Sequence, residues 1–210
     1  MLFKDRADAG KKLAQMLEKY KGKNAIVLAL PRGGVIVAAE VAKFLALPLD
    51  AIITKKIGAP GNPEYAVGAI SEGGEIIKSW LEKEISEDYL KSEAKNLKNE
   101  ISRRIKLYRE NRDLPDLKNK IVILVDDGIA TGLSIEAALQ EIKKRHPSKI
   151  ILAIPVAAPD VVDHFQKEVS ELVILATPDP FWAVGRFYEE FGEVSDEEVI
   201  AALSEQEPLG

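Results

Sequence analysis

Val122-Ile-Leu-Val-Asp-Asp-Gly-Ile-Ala-Thr-Gly-Leu-Ser134 is the stretch on which the reading of this chain turns. It continues the apolar run Ile121 to Val125, which is too short for a helix and has no polar alternation. That pattern marks a strand covered on both faces, as in a parallel sheet. Two adjacent carboxylates, Asp126 and Asp127, end the strand. The small-residue loop Gly128 to Gly132 follows, and a helix is expected from Leu133 to Arg145. Such a loop can turn its backbone N–H groups toward one point, and the new helix adds the positive end of its dipole. Thr131 and Ser134 add hydroxyl donors. The result is a cradle for a phosphate. Carboxylates at its lip would repel that phosphate unless they face another part of the ligand, so ribose hydroxyls or a magnesium ion are their natural partners. The inferred ligand is a sugar phosphate with a free diol.

Outward from this stretch the same alternation recurs. Ala25 to Leu30 and Lys149 to Val156 are apolar runs of the same kind, Asp50 to Thr54 reads as a second strand, and Leu172 to Ala176 as a last one. Between them fall helices: Asp5 to Tyr20 with Asp5 as N-cap, Val35 to Leu45, a short helix at Pro159, and a final one at Ser195, where Glu198 completes a capping-box pattern. Strand–helix alternation with doubly buried strands predicts an α/β fold with a mainly parallel central sheet flanked by helices. Residues 55–65, KKIGAPGNPEY, read as a loop from their glycines and prolines. Ala66 to Ser71 and Glu75 to Lys78 could pair as a hairpin around Gly73-Gly74. Ser86 to Asn111 is a long charged helix with Leu90, Leu97, Ile101, Ile105 and Tyr108 on one stripe. It could lie on the surface, cover a site, or pair with another subunit. The 210 residues are expected to form a single domain 1–210, with a helical insertion at about 80–112 and a hood at about 177–192 followed by the helix 195–205.

Composition removes several function classes. Cysteine is absent, which excludes disulfides, thiolate zinc sites and a cysteine nucleophile, and two histidines, His146 and His164, are too few for a histidine-rich metal site. A net charge of −5 supplies no basic field for nucleic acid. The cations at Lys98, Arg103, Arg104, Lys106, Arg109 and Arg112 are interleaved with acids and read as a solvated face. No run reaches the ~18 apolar residues of a membrane span, and the N-terminus does not read as a signal peptide, so a cytoplasmic protein is expected. Abundant Lys, Glu and Ile without Cys point to a thermophile. Neither G-x-G-x-x-G after a strand, nor G-x-x-x-x-G-K-[ST], nor G-x-S-x-G is present.

Two more loops follow strands, where open parallel sheets bind ligands. Leu30-Pro-Arg-Gly-Gly34 follows the first strand: two glycines allow close backbone approach, and Arg32 can fork onto phosphate oxygens. Lys55 and Lys56 follow the second and could neutralise a diphosphate. Thr177-Pro-Asp-Pro-Phe-Trp-Ala-Val-Gly-Arg-Phe-Tyr188 gathers aromatics after the last strand, and a nucleobase could stack on Phe181 or Trp182.

Residues 122–134 resemble the phosphoribosyl-diphosphate (PRPP) signature of the type I phosphoribosyltransferase family: an apolar strand, two acids, a variable pair, then a small residue, Thr-Gly and a hydroxyl residue. The nearest likeness is to its uncharacterised bacterial and archaeal phosphoribosyltransferase-domain group. The resemblance implies that Asp126 and Asp127 hold the ribose hydroxyls, with Arg32 completing the catalytic set. It implies that Gly128, Ile129, Ala130, Thr131, Gly132 and Ser134 take the 5-phosphate. Pro31, Arg32, Gly33 and Gly34 are similar to the family's pyrophosphate loop, to which Lys55 and Lys56 would add, and 177–188 to the hood of hypoxanthine-type members. Ala130 stands where those members carry an acid, and residues 171–177 hold no lysine for a 6-oxo group. Implied with the family are Mg2+, with Asp126 and Asp127 its possible protein ligands, a homodimer, and a role in nucleotide salvage. The expected function is transfer of phosphoribosyl from PRPP to a purine- or pyrimidine-like base with release of pyrophosphate. The alternative is a PRPP-binding regulator without transferase activity. A receiver-like phosphoacceptor is a third option, weakened because its acids usually end the first strand.

Overall fold

The computed structural model describes residues 2–79 and 85–205. Residues 80–84, the start of the expected insertion, lie outside the described residues. In chain order the elements are α1 (Arg6–Met16), β1 (Ala25–Ala29), α2 (Gly33–Leu45), β2 (Leu49–Ala51), β3 (Thr54–Ala59), β4 (Asn62–Ser71), β5 (Ile76–Lys78), α3 (Glu87–Arg109), β6 (Ile121–Val125), α4 (Leu133–Lys143), β7 (Lys149–Val156), α5 (Pro159–Glu168), β8 (Glu171–Ala176) and α6 (Asp196–Ser204). The chain divides into two compact units. One comprises Met1–Ala51, Pro115–Thr131 and His146–Gly210; the other comprises Ile52–Leu114 and Gly132–Arg145.

The first unit is built on a five-stranded sheet in the order β2-β1-β6-β7-β8, every pair parallel. Its central strands are the apolar runs of the sequence, and Ala25–Ala29 is buried throughout. Each fully buried Val, Leu or Ile contributes about 1.5–3 kcal/mol over its exposed state, so strands of this composition are stable only with both faces covered. Asp5 caps α1 by accepting from the Asp8 N–H at 2.7 Å, and Ser195 and Glu198 form the expected capping box at α6.

Strand order decides where this unit can bind. β2 flanks β1 on one side and β6 on the other, so the topology reverses between β1 and β6. Their register pairs Ala29 with Val125, and the Leu30 N–H donates to the Val125 carbonyl at 3.0 Å. The loops at 30–34 and 126–131 therefore leave the sheet side by side at its switch point, where open α/β sheets bind ligands.

The second unit carries the antiparallel sheet β3-β4-β5 with α3 and α4. Here the sequence expectations need correcting. Residues 55–65 are not a loop: most of them form β3 and the start of β4, joined by a turn at Pro60-Gly61. Gly61 sits at φ +76°, the left-handed region that glycine adopts freely. Gly58 lies where the register shifts, and a β-carbon there would stand 2.5 Å from the Pro63 carbonyl oxygen. Bulges and strand ends are where Pro and Gly are tolerated in a sheet, which hides this hairpin from a composition reading. The expected strand Asp50 to Thr54 is divided, because the chain leaves the parallel sheet after Ala51 and enters the antiparallel one at Thr54. The hairpin around Gly73-Gly74 is present, with β4 and β5 antiparallel. α4 packs Leu133 and Ala137 against Ala69, Ala66 and Ile77. α3 buries Leu90, Ala94, Ile101, Tyr108 and Arg109, while Leu97 and Ile105 are half-buried.

Among the described residues, no helix is long and apolar enough to cross a membrane.

Candidate functional site

Asp126 and Asp127 emerge from β6 half-buried at the switch point. Asp126 folds back so that its Oδ1 accepts the Asp127 N–H at 2.8 Å. Asp127 Oδ2 accepts from Arg6 Nε at 2.7 Å, and the two side chains are only 16% and 12% exposed. The Asp127 carbonyl accepts from the Tyr188 hydroxyl at 2.6 Å. Tyr188 is 2% exposed, and burial, reinforced by the Asp127 charge, pushes its phenol well above the ordinary value. It stays protonated as a donor.

The loop after β1 fits against this pair. The Pro31–Arg32 peptide is cis. A β-carbon on Gly33 would stand 2.0 Å from Asp127 Oδ2, and one on Gly34 would stand 2.8 Å from Asp126 Oδ1. Only glycine lets the backbone come this close. Arg32, half-buried, pairs with Glu193 Oε1, and its other terminal nitrogen is 3.9 Å from Asp196 Oδ1.

The expected phosphate loop follows. The Ile129 N–H donates to the Val156 carbonyl and its carbonyl accepts from the Ala158 N–H, both at 2.9 Å. Ile129 is itself buried. It thus anchors the loop across the end of β7, and its own N–H is not left for a phosphate. Ala130 and Thr131 are exposed. Gly128 backs onto the hood: a β-carbon would meet Val184 Cγ1 at 2.4 Å. Gly132, at φ +76°, is the N-cap of α4, and Ser134 lies in the first turn of that helix. Both belong to the second unit, as do Lys55 and Lys56, which sit on β3 opposite Ile70 and Ala69.

The segment 177–192 forms an aromatic cluster with the N-terminus. Phe3 pairs with Tyr188 as an isolated bridge, and Phe181, Val184 and Phe187 pack on the buried cluster of Phe3, Ala9, Val156 and Tyr188. The two expected base-stacking residues are placed differently. Phe181 faces Phe187, with ring centroids 5.2 Å apart, whereas Trp182 is 79% exposed. Phe191, also in this segment, carries the Arg6 guanidinium 3.8 Å above its ring centre.

Sequence reading missed Arg6 and Tyr188 as site residues. One signal for Arg6 was available: a cation directly after a helix N-cap opposes the helix dipole, so α1 itself gives no reason for it.

The donor chemistry accommodates magnesium in one manner. Among the described residues, no group of three His, Asp or Glu side chains could hold a metal ion alone. Asp126 and Asp127 supply carboxylates, the donors Mg2+ takes when substrate phosphates fill the rest of its shell.

A five-stranded parallel sheet flanked by helices, with an acid pair and a glycine loop interlocked at its switch point, is an α/β fold of the type I phosphoribosyltransferase kind. The phosphoribosyl transferase domain family model matches residues 3–189. The chain belongs to this family, whose enzymes are glycosyltransferases by class. It is similar to the protein TT1426 from Thermus thermophilus over 98% of this chain and 99% of that one, with a TM-score of 0.82 and 43% identity. It is 43% identical over 205 residues to a protein of Mycobacterium tuberculosis named "Putative phosphoribosyl transferase Rv0571c". That alignment covers 96% of this chain but 46% of the relative, so the chain spans about half the length of the curated relative it matches. A shorter match, 39% identical over 61 residues and 29% of each chain, is to uracil phosphoribosyltransferase of Aquifex aeolicus.

Proposed function

We propose that this chain transfers the phosphoribosyl group of PRPP to a ring nitrogen of a purine- or pyrimidine-like base. The bond from the ribose anomeric carbon to the diphosphate oxygen breaks, a carbon–nitrogen bond forms, and pyrophosphate leaves with the electron pair. The base loses a proton to solvent. The observation that carries this reading is the packing of Gly33 and Gly34 on Asp127 and Asp126 at the switch point. It sets the loop read here as diphosphate-binding directly against the pair read as diol-binding.

In this reading Asp126 and Asp127 accept hydrogen bonds from the ribose hydroxyls. Gly128, Ala130 and Thr131, in the loop that Ile129 anchors, hold the 5-phosphate, and Pro31 to Gly34 hold the diphosphate. Phe181 and Trp182 are the candidates for the base. Positive charge develops on the ribose as the diphosphate departs, so the protein's work is positioning and charge balance. Asp126 and Asp127 would hold Mg2+ together with the diphosphate oxygens, and the ion would supply charge neutralisation on the leaving group. A cytoplasmic homodimer serving nucleotide salvage is the setting we propose.

The test is phosphorus NMR of PRPP and MgCl2 with the protein and a pool of nucleobases. Base-dependent appearance of pyrophosphate supports the transferase, and its loss in Asp126→Asn and Asp127→Asn ties it to this pair. PRPP signals that broaden without turnover would replace the transferase with a PRPP-binding regulator. Signals that never broaden would remove PRPP as the ligand.

A further inference from the structure

Arg6 makes three contacts with one guanidinium. Its Nε reaches Asp127 Oδ2 at 2.7 Å, its Nη1 donates to the Gly192 carbonyl at 2.8 Å, and its Cζ lies 3.8 Å above the Phe191 ring centre. Phe191 in turn packs on Tyr188, centroids 5.0 Å apart, and Tyr188 donates to the Asp127 carbonyl. Asp127 is thereby held from both its side chain and its main chain by residues of α1 and of segment 188–192.

We infer that Arg6 is a positioning residue for the ribose-binding acid Asp127, and that through it the N-terminal helix and the segment 188–192 determine PRPP affinity. This rests on the assignment of Asp127 to the ribose diol. The position carries no benefit for α1, because a cation in the first turn opposes the helix dipole. The geometry is specific to arginine: two splayed N–H directions and a planar face are used at once, which a lysine ammonium cannot reproduce. Two consequences follow for a ligand with several phosphate charges. Arg6 offsets the negative charge of Asp127 beside it, and it fixes one carboxylate oxygen so that a hydroxyl meets an already oriented acceptor.

The experiment is calorimetric titration of PRPP and, separately, of inorganic pyrophosphate, each with MgCl2, into wild type, Arg6→Gln, Arg6→Lys, Asp127→Asn and the Arg6→Gln/Asp127→Asn double variant. Pyrophosphate has no ribose. A residue acting through Asp127 weakens PRPP and spares pyrophosphate, whereas a merely structural residue weakens both. We expect Arg6→Gln to weaken PRPP at least tenfold with pyrophosphate changed less than twofold. Arg6→Lys should recover part of the loss, and the double variant should bind PRPP no worse than Asp127→Asn alone, since residues acting as one unit are non-additive. Unchanged or tighter PRPP binding by Arg6→Gln, or equal loss for both ligands, overturns the inference and leaves the reading of Asp127 standing. Wild type that binds pyrophosphate but not PRPP overturns both.

Discussion

The main chain of Gly33 lies directly on the carboxylate of Asp127. A β-carbon there would stand 2.0 Å from Oδ2 and 2.8 Å from Arg6 Nε. The two loops of the site are thus one packed object, and the pair can be separated only by moving an ion pair that is about one-eighth exposed. Gly33→Ala is expected to displace Asp127 or the 30–34 loop. Overpacking of this kind costs about 1–3 kcal/mol, and PRPP affinity should fall by at least tenfold. Lys23→Ala is the control, because Lys23 is exposed and belongs to neither loop of the site. Thermal melts and PRPP titration of the two variants check this; equal behaviour would refute the interlock.

How much of this was legible in the sequence follows from the physics of each part. β1, β6 and β7 were readable because doubly buried strands must be apolar at every position, and the loops after β1 and β6 were readable because their residue types have few other uses. β3 and β4 were not: Gly58, Pro60, Gly61 and Pro63 mark a bulge and a turn inside a hairpin, and composition alone cannot tell those from a loop. Arg109 was grouped with the solvated cations of α3, yet it is 2% exposed against Glu72. Pairing across 37 residues leaves no local pattern. Arg6 and Tyr188 were missed for the same reason, since each meets Asp127 only through tertiary contact.

Arg32, the proposed diphosphate ligand, is paired with Glu193, whose side chain is 80% exposed. Ion pairs this open are worth about 0–1 kcal/mol, far less than a guanidinium gains from a multiply charged diphosphate. Substrate should therefore displace Glu193 at small cost. Glu193→Gln is expected to tighten PRPP binding by up to about fivefold, the fold-change at the upper end of that energy range. The gain should shrink as salt rises, because screening weakens the competing pair as well. Titrations at low and high salt measure this, and unchanged affinity at low salt would show that Glu193 does not compete.

Arg109 and Glu72 form a two-pronged pair, Nη1 to Oε1 at 3.1 Å and Nη2 to Oε2 at 2.5 Å, with the side chains 2% and 5% exposed. Burial raises the Glu72 carboxyl above its usual value, and the Arg109 charge and hydrogen bonds oppose that rise. Removing one partner of a buried pair leaves an uncompensated charge and costs about 3–5 kcal/mol. Arg109→Met should lose stability on that scale. The double variant Arg109→Met/Glu72→Met should be the more stable of the two, because neither charge of the pair is left buried without its partner. Urea denaturation of both provides the comparison, and a double variant no better than the single would assign the loss to packing.

Acid stability in the second unit follows from Glu100, which accepts from Arg103 Nε and Arg104 Nε at 2.8 Å each on α3. The Arg103 hydrogen bond, then that of Arg104, lowers its carboxyl from 4.5 to about 2. A carboxyl lowered on folding binds its proton more weakly in the native state than in the unfolded one. Its stabilisation is therefore complete above the unfolded value near 4.5 and is lost as pH falls toward 2. Glu72, raised on folding, acts with the opposite sign: its ionisation counts against the native state, so protonation at low pH offsets part of the loss. Glu100→Gln should leave stability at neutral pH lower by the modest worth of an exposed helix-face pair and make the decline between pH 4.5 and about 2 shallower than in wild type. Melting temperatures across that window give the slopes. Parallel slopes for the two proteins would show that Glu100 does not set the acid response of α3.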